Sequence, residues 1–132
     1  MKQNILIFLT TAIIFLIADS IWLGFISFKF YRNEIGTLLK PLSFPPAIIF
    51  YFLYVFGMML FVIYPSLESF EIKKVIVLGF AYGLISYATY DLTNLATLQG
   101  WTWKFSVVDI LWGASATSLT TTLVTLIFKG VS

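Results

Sequence analysis

The sequence predicts an all-α membrane protein: one integral membrane domain, a four-transmembrane-helix up-down bundle with short connections. Three observations predict it. The 132 residues are 60% hydrophobic and 11% charged, where a soluble domain is about 45–50% apolar and about 25% charged. A soluble protein of that composition could not cover its surface with polar groups. Four apolar runs are long enough to cross a hydrocarbon core of about 30 Å, which takes about 20 helical residues. The connections between them are short and carry most of the charge.

The first span is expected over about residues 5–28, Ile5 to Phe28. Lys2, an apolar stretch and Ala18 give this run the outline of a secretory leader. Leu16 is a poor residue three places before that cut, and the apolar character resumes after Asp19, so the run is expected to stay as a span. The connection up to Phe44 carries Arg32, Glu34, Lys40 and Pro41. Within it, "YRNEIGTLLK" reads either as an extension of the first helix or as an interfacial helix. The second span, about residues 46–64, opens at Pro45 and Pro46 and runs through "AIIFYFLYVFGMMLFVIY". Proline suits a helix start, where its missing N–H is not needed. The aromatic run "FYFLYVF", Phe50 to Phe56, reads as lipid-facing or core bulk rather than as a ligand cage.

A charged connection with Glu68, Glu71, Lys73 and Lys74 leads to the third span, about residues 74–97. "GWTWK", Gly100 to Lys104, is a tight turn whose two indoles suit a membrane–water interface. The fourth span covers about residues 105–128. It contains "GASATSLTTTLVT", Gly113 to Thr125, and small residues of this kind let helices approach closely in lipid. That stretch is a packing seam or a homo-oligomer face, with a polar pathway lining as the functional alternative. Each helix satisfies its own backbone, as lipid requires.

An even number of spans puts both termini on one side. Lys2, Lys73, Lys74 and Lys129 lie there, facing Lys29, Arg32, Lys40 and Lys104 on the other side. The positive-inside rule is therefore balanced and does not decide the orientation; termini inside is the reading adopted. The partner implied by composition is the lipid bilayer; a bacterial inner membrane is the expected location. A net charge of +2, scattered along the chain, gives no footprint for nucleic acid.

The chain has no His and no Cys. Histidine-held haem, His/Cys zinc and cysteine nucleophiles are excluded. No cofactor or metal is expected, although carboxylates alone could still bind a divalent ion. Acid–base chemistry would fall to Asp, Glu, Tyr or Lys.

The informative residues are the acids inside the spans. Asp19, Asp91 and Asp109 sit in or at the edge of apolar runs, and up-down order brings all three into the same half of the membrane. Asp19 is roughly 13 Å below the end of the first span, and Asp109 roughly 6 Å inside the fourth, at about 1.5 Å per residue. Tyr87, Asp91 and Asn94 follow i, i+4, i+7 spacing and share a face, with Tyr90, Thr93 and Thr97 near it. Asp19 and Trp22 are one turn apart, as are Asp109 and Trp112. An indole N–H or a tyrosine hydroxyl can donate to a carboxylate. Arg32, Lys29 and Lys104 lie on the same side and could balance charge. Ionisable groups within a membrane are costly and are functional by default. The candidate ligand- or proton-binding residues are thus Asp19, Asp91, Asp109, Asn94, Tyr87, Trp22, Trp112 and Arg32. The bland alternative is that these contacts only hold helices together.

The stretches "FYRNEIGTLL", "YATYDLTNLATLQGW" and "VVDILWG" together resemble an uncharacterised family of small bacterial membrane proteins, domain of unknown function 2177. The resemblance spans nearly the whole chain and implies four helices. Its motifs map onto Asp19, Tyr31, Arg32, Tyr87, Asp91, Asn94, Trp101, Asp109 and Trp112, without assigning them roles. It tilts the expected ligand toward a lipid or another amphiphile.

Three functions compete. The first is a protein that binds or translocates a small or lipid-like solute, with proton or cation coupling and a homo-oligomer through the fourth helix. The second is a membrane-embedded lipid-modifying enzyme using paired carboxylates. The third is a structural or accessory subunit. The first is preferred, and the chain is read as leaning away from an enzyme.

Overall fold

The computed structural model describes residues 1–41 and 43–130, with the backbone alone at Ile26. Its first span is α1 (Lys2–Ile21) continued by a π turn at Trp22–Ile26. After Ser27 a short helix, α2 (Phe28–Ile35), departs and ends in a 3₁₀ turn at Gly36–Leu38. The second span is α3 (Phe44–Met58), a π turn at Met59–Ile63 and α4 (Tyr64–Glu68). The third and fourth are α5 (Ile72–Thr97) and α6 (Trp103–Phe128). Among the described residues, four segments are therefore long and apolar enough to cross a membrane: Lys2–Phe25, Phe44–Glu68, Ile72–Thr97 and Trp103–Phe128. The expected all-α membrane bundle is what forms.

Both π turns have local causes. Pro65 cannot donate a backbone N–H and its ring crowds the carbonyl one turn back. The widened turn at Met59–Ile63 directly precedes it and re-pairs the ladder, with the Tyr64 N–H on the Met59 carbonyl. At the other π turn the Trp22 carbonyl accepts both the Ser27 N–H and the Ser27 hydroxyl, each at 2.8 Å. That pair closes the first span and lets α2 begin in a new direction. "YRNEIGTLLK" is therefore neither a straight extension nor a free helix, since Ile35 of α2 is buried against the bundle.

The α5–α6 pair is the closest in the bundle, because glycines face it. A Cβ on Gly83 would meet the Gly113 carbonyl oxygen and the Ala114 Cα at 2.6 and 2.8 Å, and one on Gly79 would meet the Ser118 Cα at 2.8 Å. The small face of α6, including Gly113, Ala114, Thr117, Ser118 and Thr121, is buried in this seam. Of its hydroxyls, Ser118 donates across the seam to the Ile76 carbonyl at 2.7 Å and Thr125 to the Thr121 carbonyl at 2.7 Å, while the Thr120 hydroxyl is buried without a partner among the described residues. The small residues are thus covered by α5 of the same chain. The outward row of α6, Leu119, Leu123 and Ile127, stays exposed.

The two halves of the bundle differ. The half toward the termini holds an apolar cluster of Ile7, Phe15, Val55, Met58, Ile63 and Val124. The other half holds the span acids. Outside, large apolar side chains such as Ile13, Leu53, Val77 and Leu111 are more than half exposed, which suits a surface facing lipid.

Candidate functional site

The acid-bearing half encloses a cavity of about 480 Å³. Its walls run from Leu39 and Trp101 in the connections to Tyr54 and Trp112 in the spans. Tyr54 comes ten residues after Phe44, about 15 Å along α3 at 1.5 Å per residue. Eight of the fourteen lining residues are aromatic and two are acids, Asp19 and Asp109; none is Lys or Arg.

The two Asp-x-x-Trp motifs meet here, and they exchange partners. Antiparallel packing of α1 on α6 stacks Trp22 on Trp112, with ring centroids 4.6 Å apart and planes 4° from parallel. Each indole then serves the acid of the other helix. The Trp112 indole donates to Asp19 Oδ1 at 3.2 Å. The Trp22 indole donates to the Tyr31 hydroxyl at 3.1 Å, and that hydroxyl donates to Asp109 Oδ1 at 2.5 Å. The Tyr51 hydroxyl donates to Asp19 Oδ2. The expected bond from each indole to the acid one turn before it on its own helix is replaced by this crossed arrangement. Asp109 also has the Asp91 carboxyl within hydrogen-bonding reach.

Two local features hold the network in place. The turn after Trp22 swings α2 back across the bundle end, which carries Tyr31 to Asp109. The start of α6 is fixed by Thr102, whose hydroxyl oxygen caps the Phe105 N–H at 3.0 Å and donates to Glu34 Oε1 of α2 at 2.7 Å. Gly100, at φ +86°, supplies the left-handed residue that lets the chain turn from α5 into α6. Burial, with Asp109 beside it, pushes the Tyr31 hydroxyl above the ordinary tyrosine range, so it stays a donor.

The remaining predicted residues divide. Tyr87 lines the cavity within electrostatic reach of Asp19 and Asp109. Its ring occupies the space a side chain at Gly113 would need. Asp91 is fully buried, and as a carboxylate neither of its oxygens has a hydrogen-bond donor. It does not line the cavity; the acid acting on it is Asp109. Asn94 is only half-buried and lies outside the lining. Arg32 is exposed and stacks on Phe28, 4.9 Å from the ring centroid, while the Lys104 ammonium sits over Phe30 at 5.8 Å. Neither cation lines the cavity, so the charge balance expected from them is not supplied there.

The turn at 100–104 and the aromatic run of α3 also depart from expectation. Trp103 is 71% exposed, as an interfacial indole should be. Trp101 instead turns inward, lines the cavity and donates to the Ser106 hydroxyl at 3.1 Å. Phe52 and Phe56 face outward, as bulk aromatics would, but Phe50 and Tyr54 line the cavity and Tyr51 holds Asp19. Tyr51 and Tyr54 are site residues that sequence reasoning misses. Their signal is position. They follow Ala47 by one and two helical turns, at the acid-side end of an apolar helix, where a hydroxyl needs a partner.

The family model described as "Predicted membrane protein (DUF2177)" matches residues 4–126. The chain belongs to this family. The match takes in all four spans and every residue of the network, from Asp19 to Trp112. No match was found among curated proteins or among solved structures.

The arrangement offers an apolar and aromatic chamber with acid groups on its wall. No group of three acids converges as metal ligands would, among the described residues. What the chamber supplies is a hydrophobic enclosure, acceptor oxygens and hydroxyl groups able to pass protons.

Proposed function

We propose that this chain is a bacterial inner-membrane protein that binds or translocates a small or lipid-like solute in the cavity between its helices. The observation that carries this reading is the cavity itself. Its volume of about 480 Å³ falls in the range of about 300–1,000 Å³ typical of small-molecule sites, and such sites pair apolar walls with a few placed polar groups. In this reading Asp19 and Asp109 bear the charge and Tyr87 orients the solute. Asp91, buried beside Asp109, gives a second carboxyl with which a proton can be shared. Copies associating through the fourth helix would use its outward row, Leu119, Leu123 and Ile127, since the small face is occupied.

Native mass spectrometry of gently extracted protein, beside its Asp109→Asn variant, tests the reading. A defined small molecule or lipid should travel with the unaltered chain and be lost in the variant. Two folded, empty proteins would count against it. The accessory-subunit reading draws on one observation, that Asp19 is already held by Tyr51 and Trp112. It predicts that Asp19→Asn lowers stability and changes nothing else.

A further inference from the structure

The cavity's walls also narrow the chemistry of its occupant. Two acids line it and no basic side chain does. Of the cations at this end, Arg32 and Lys104 sit over the rings of Phe28 and Phe30, and Lys29 and Lys40 are exposed and outside the lining. A third carboxyl, Asp91, lies within hydrogen-bonding reach of Asp109, so one proton shared between them still leaves a negative charge on the pair. Unbalanced negative charge within a membrane is costly, so a site of this kind is stable only with a proton or a cation.

The walls favour one type of cation. Metal ions want several oxygen ligands at once, and no three acids converge for one among the described residues. The helical backbone carbonyls around the site are engaged in their own ladders. Aromatic rings are abundant instead: Phe50 stacks on Tyr54 at 5.5 Å, and Trp101 meets Phe105 edge-on at 5.0 Å. Aromatic rings attract ammonium and quaternary ammonium groups through their negative faces, and eight of the fourteen lining residues carry such rings.

We propose that the cavity takes an organic cation, an amine or quaternary ammonium on an apolar body, with the Asp109 carboxylate on its wall as the counter-ion. The proposal rests on the reading that the cavity binds a solute, and it names the solute's class. Anions and phosphodiesters are disfavoured, because no Lys or Arg lines the site to meet them. The ammonium could be that of a free amine or of an amine-bearing lipid headgroup, and the shared chemistry is the ammonium.

The test titrates the full chain, in an uncharged maltoside detergent, with 4-phenylbutyltrimethylammonium. The controls are its carbon isostere, in which carbon replaces the quaternary nitrogen, and 4-phenylbutyrate. Calorimetry and tryptophan fluorescence read the binding. The cation should bind saturably, at least about tenfold tighter than the isostere, and the anion should not bind. Asp109→Asn should weaken the cation by at least about tenfold while leaving the isostere unchanged. Equal affinity for cation and isostere overturns the cation proposal and leaves solute binding standing. No binding of the cation also overturns it, and the search for a co-purified ligand then judges solute binding independently. If Asp109→Asn fails to fold, the isostere comparison on the unaltered chain decides. Repeating the titration in nanodiscs of phosphatidylglycerol, with and without phosphatidylethanolamine, separates the sources. Competition by the latter supports a lipid headgroup, and its absence supports a free amine.

Discussion

Tyr31 is the side chain on which the Asp109 half of the network turns, because it both accepts from Trp22 and donates to Asp109. Tyr31→Phe leaves both partners unpaired at a site away from bulk water, and should cost about 1–3 kcal/mol in reversible unfolding. It should also change the alkaline limb of the stability profile. The folded chain holds the Tyr31 proton more tightly than the unfolded chain does. The stabilisation is therefore complete below the ordinary tyrosine pKa of about 10 and is lost as pH rises above it. Melting temperature should fall above that pH in the unaltered chain, and less steeply in Tyr31→Phe. Asp91 is a second test. No N–H or hydroxyl donates to its oxygens, and its hydrogen-bonding neighbour is the Asp109 carboxyl, so a shared proton is what satisfies the pair. Asp91→Leu should therefore lower stability by about 1–3 kcal/mol, seen as a lower melting temperature, and a rise would mean that the pair shares no proton.

At the scale of elements, the α5–α6 seam depends on side chains that are absent. Gly83→Val would push a branched side chain against the backbone of Gly113 and Ala114. It should destabilise the bundle by about 1–3 kcal/mol, as overpacking does. Gly24 is the internal control, since nothing lies within 4 Å of a Cβ there. Gly24→Ala should be neutral or stabilising by up to about 1 kcal/mol. Equal effects of the two substitutions, measured by unfolding in detergent, would remove the seam as the reason for glycine at position 83. The same seam sets the cavity, because Gly113 makes room for the Tyr87 ring.

For the whole molecule, the lack of native cysteine makes the up-down order directly testable. Single cysteines at Asn33 and Gln99 should react with an impermeant thiol reagent from one side of a sealed membrane. Those at Lys2 and Ser69 should react from the other. Asn33 and Ser69 reacting from the same side would break the topology that gathers the acids. The division into a half without span acids and an acid-bearing half follows from that order, since Asp19, near the end of one span, comes beside Asp109, near the start of another.

The number of spans and the half that holds the acids were legible in the sequence, because length and hydropathy alone set how often a chain crosses lipid; the first span, expected to reach Phe28, ends at Phe25, where the chain turns into α2. Asp19, Asp109, Tyr87, Trp22 and Trp112 were legible too, as polar groups placed where polar groups are costly. Tertiary structure alone decided which faces meet: the exchange of indoles between α1 and α6, Tyr31 and Tyr51 as the donors, the exclusion of Arg32 and Asn94 from the lining, and α5 as the cover for the small residues of α6. The reason is physical. A soluble helix shows its inner face as an apolar stripe. A helix in lipid is apolar on both its buried and its outer side, so hydropathy does not distinguish them, and packing detail selects the partners.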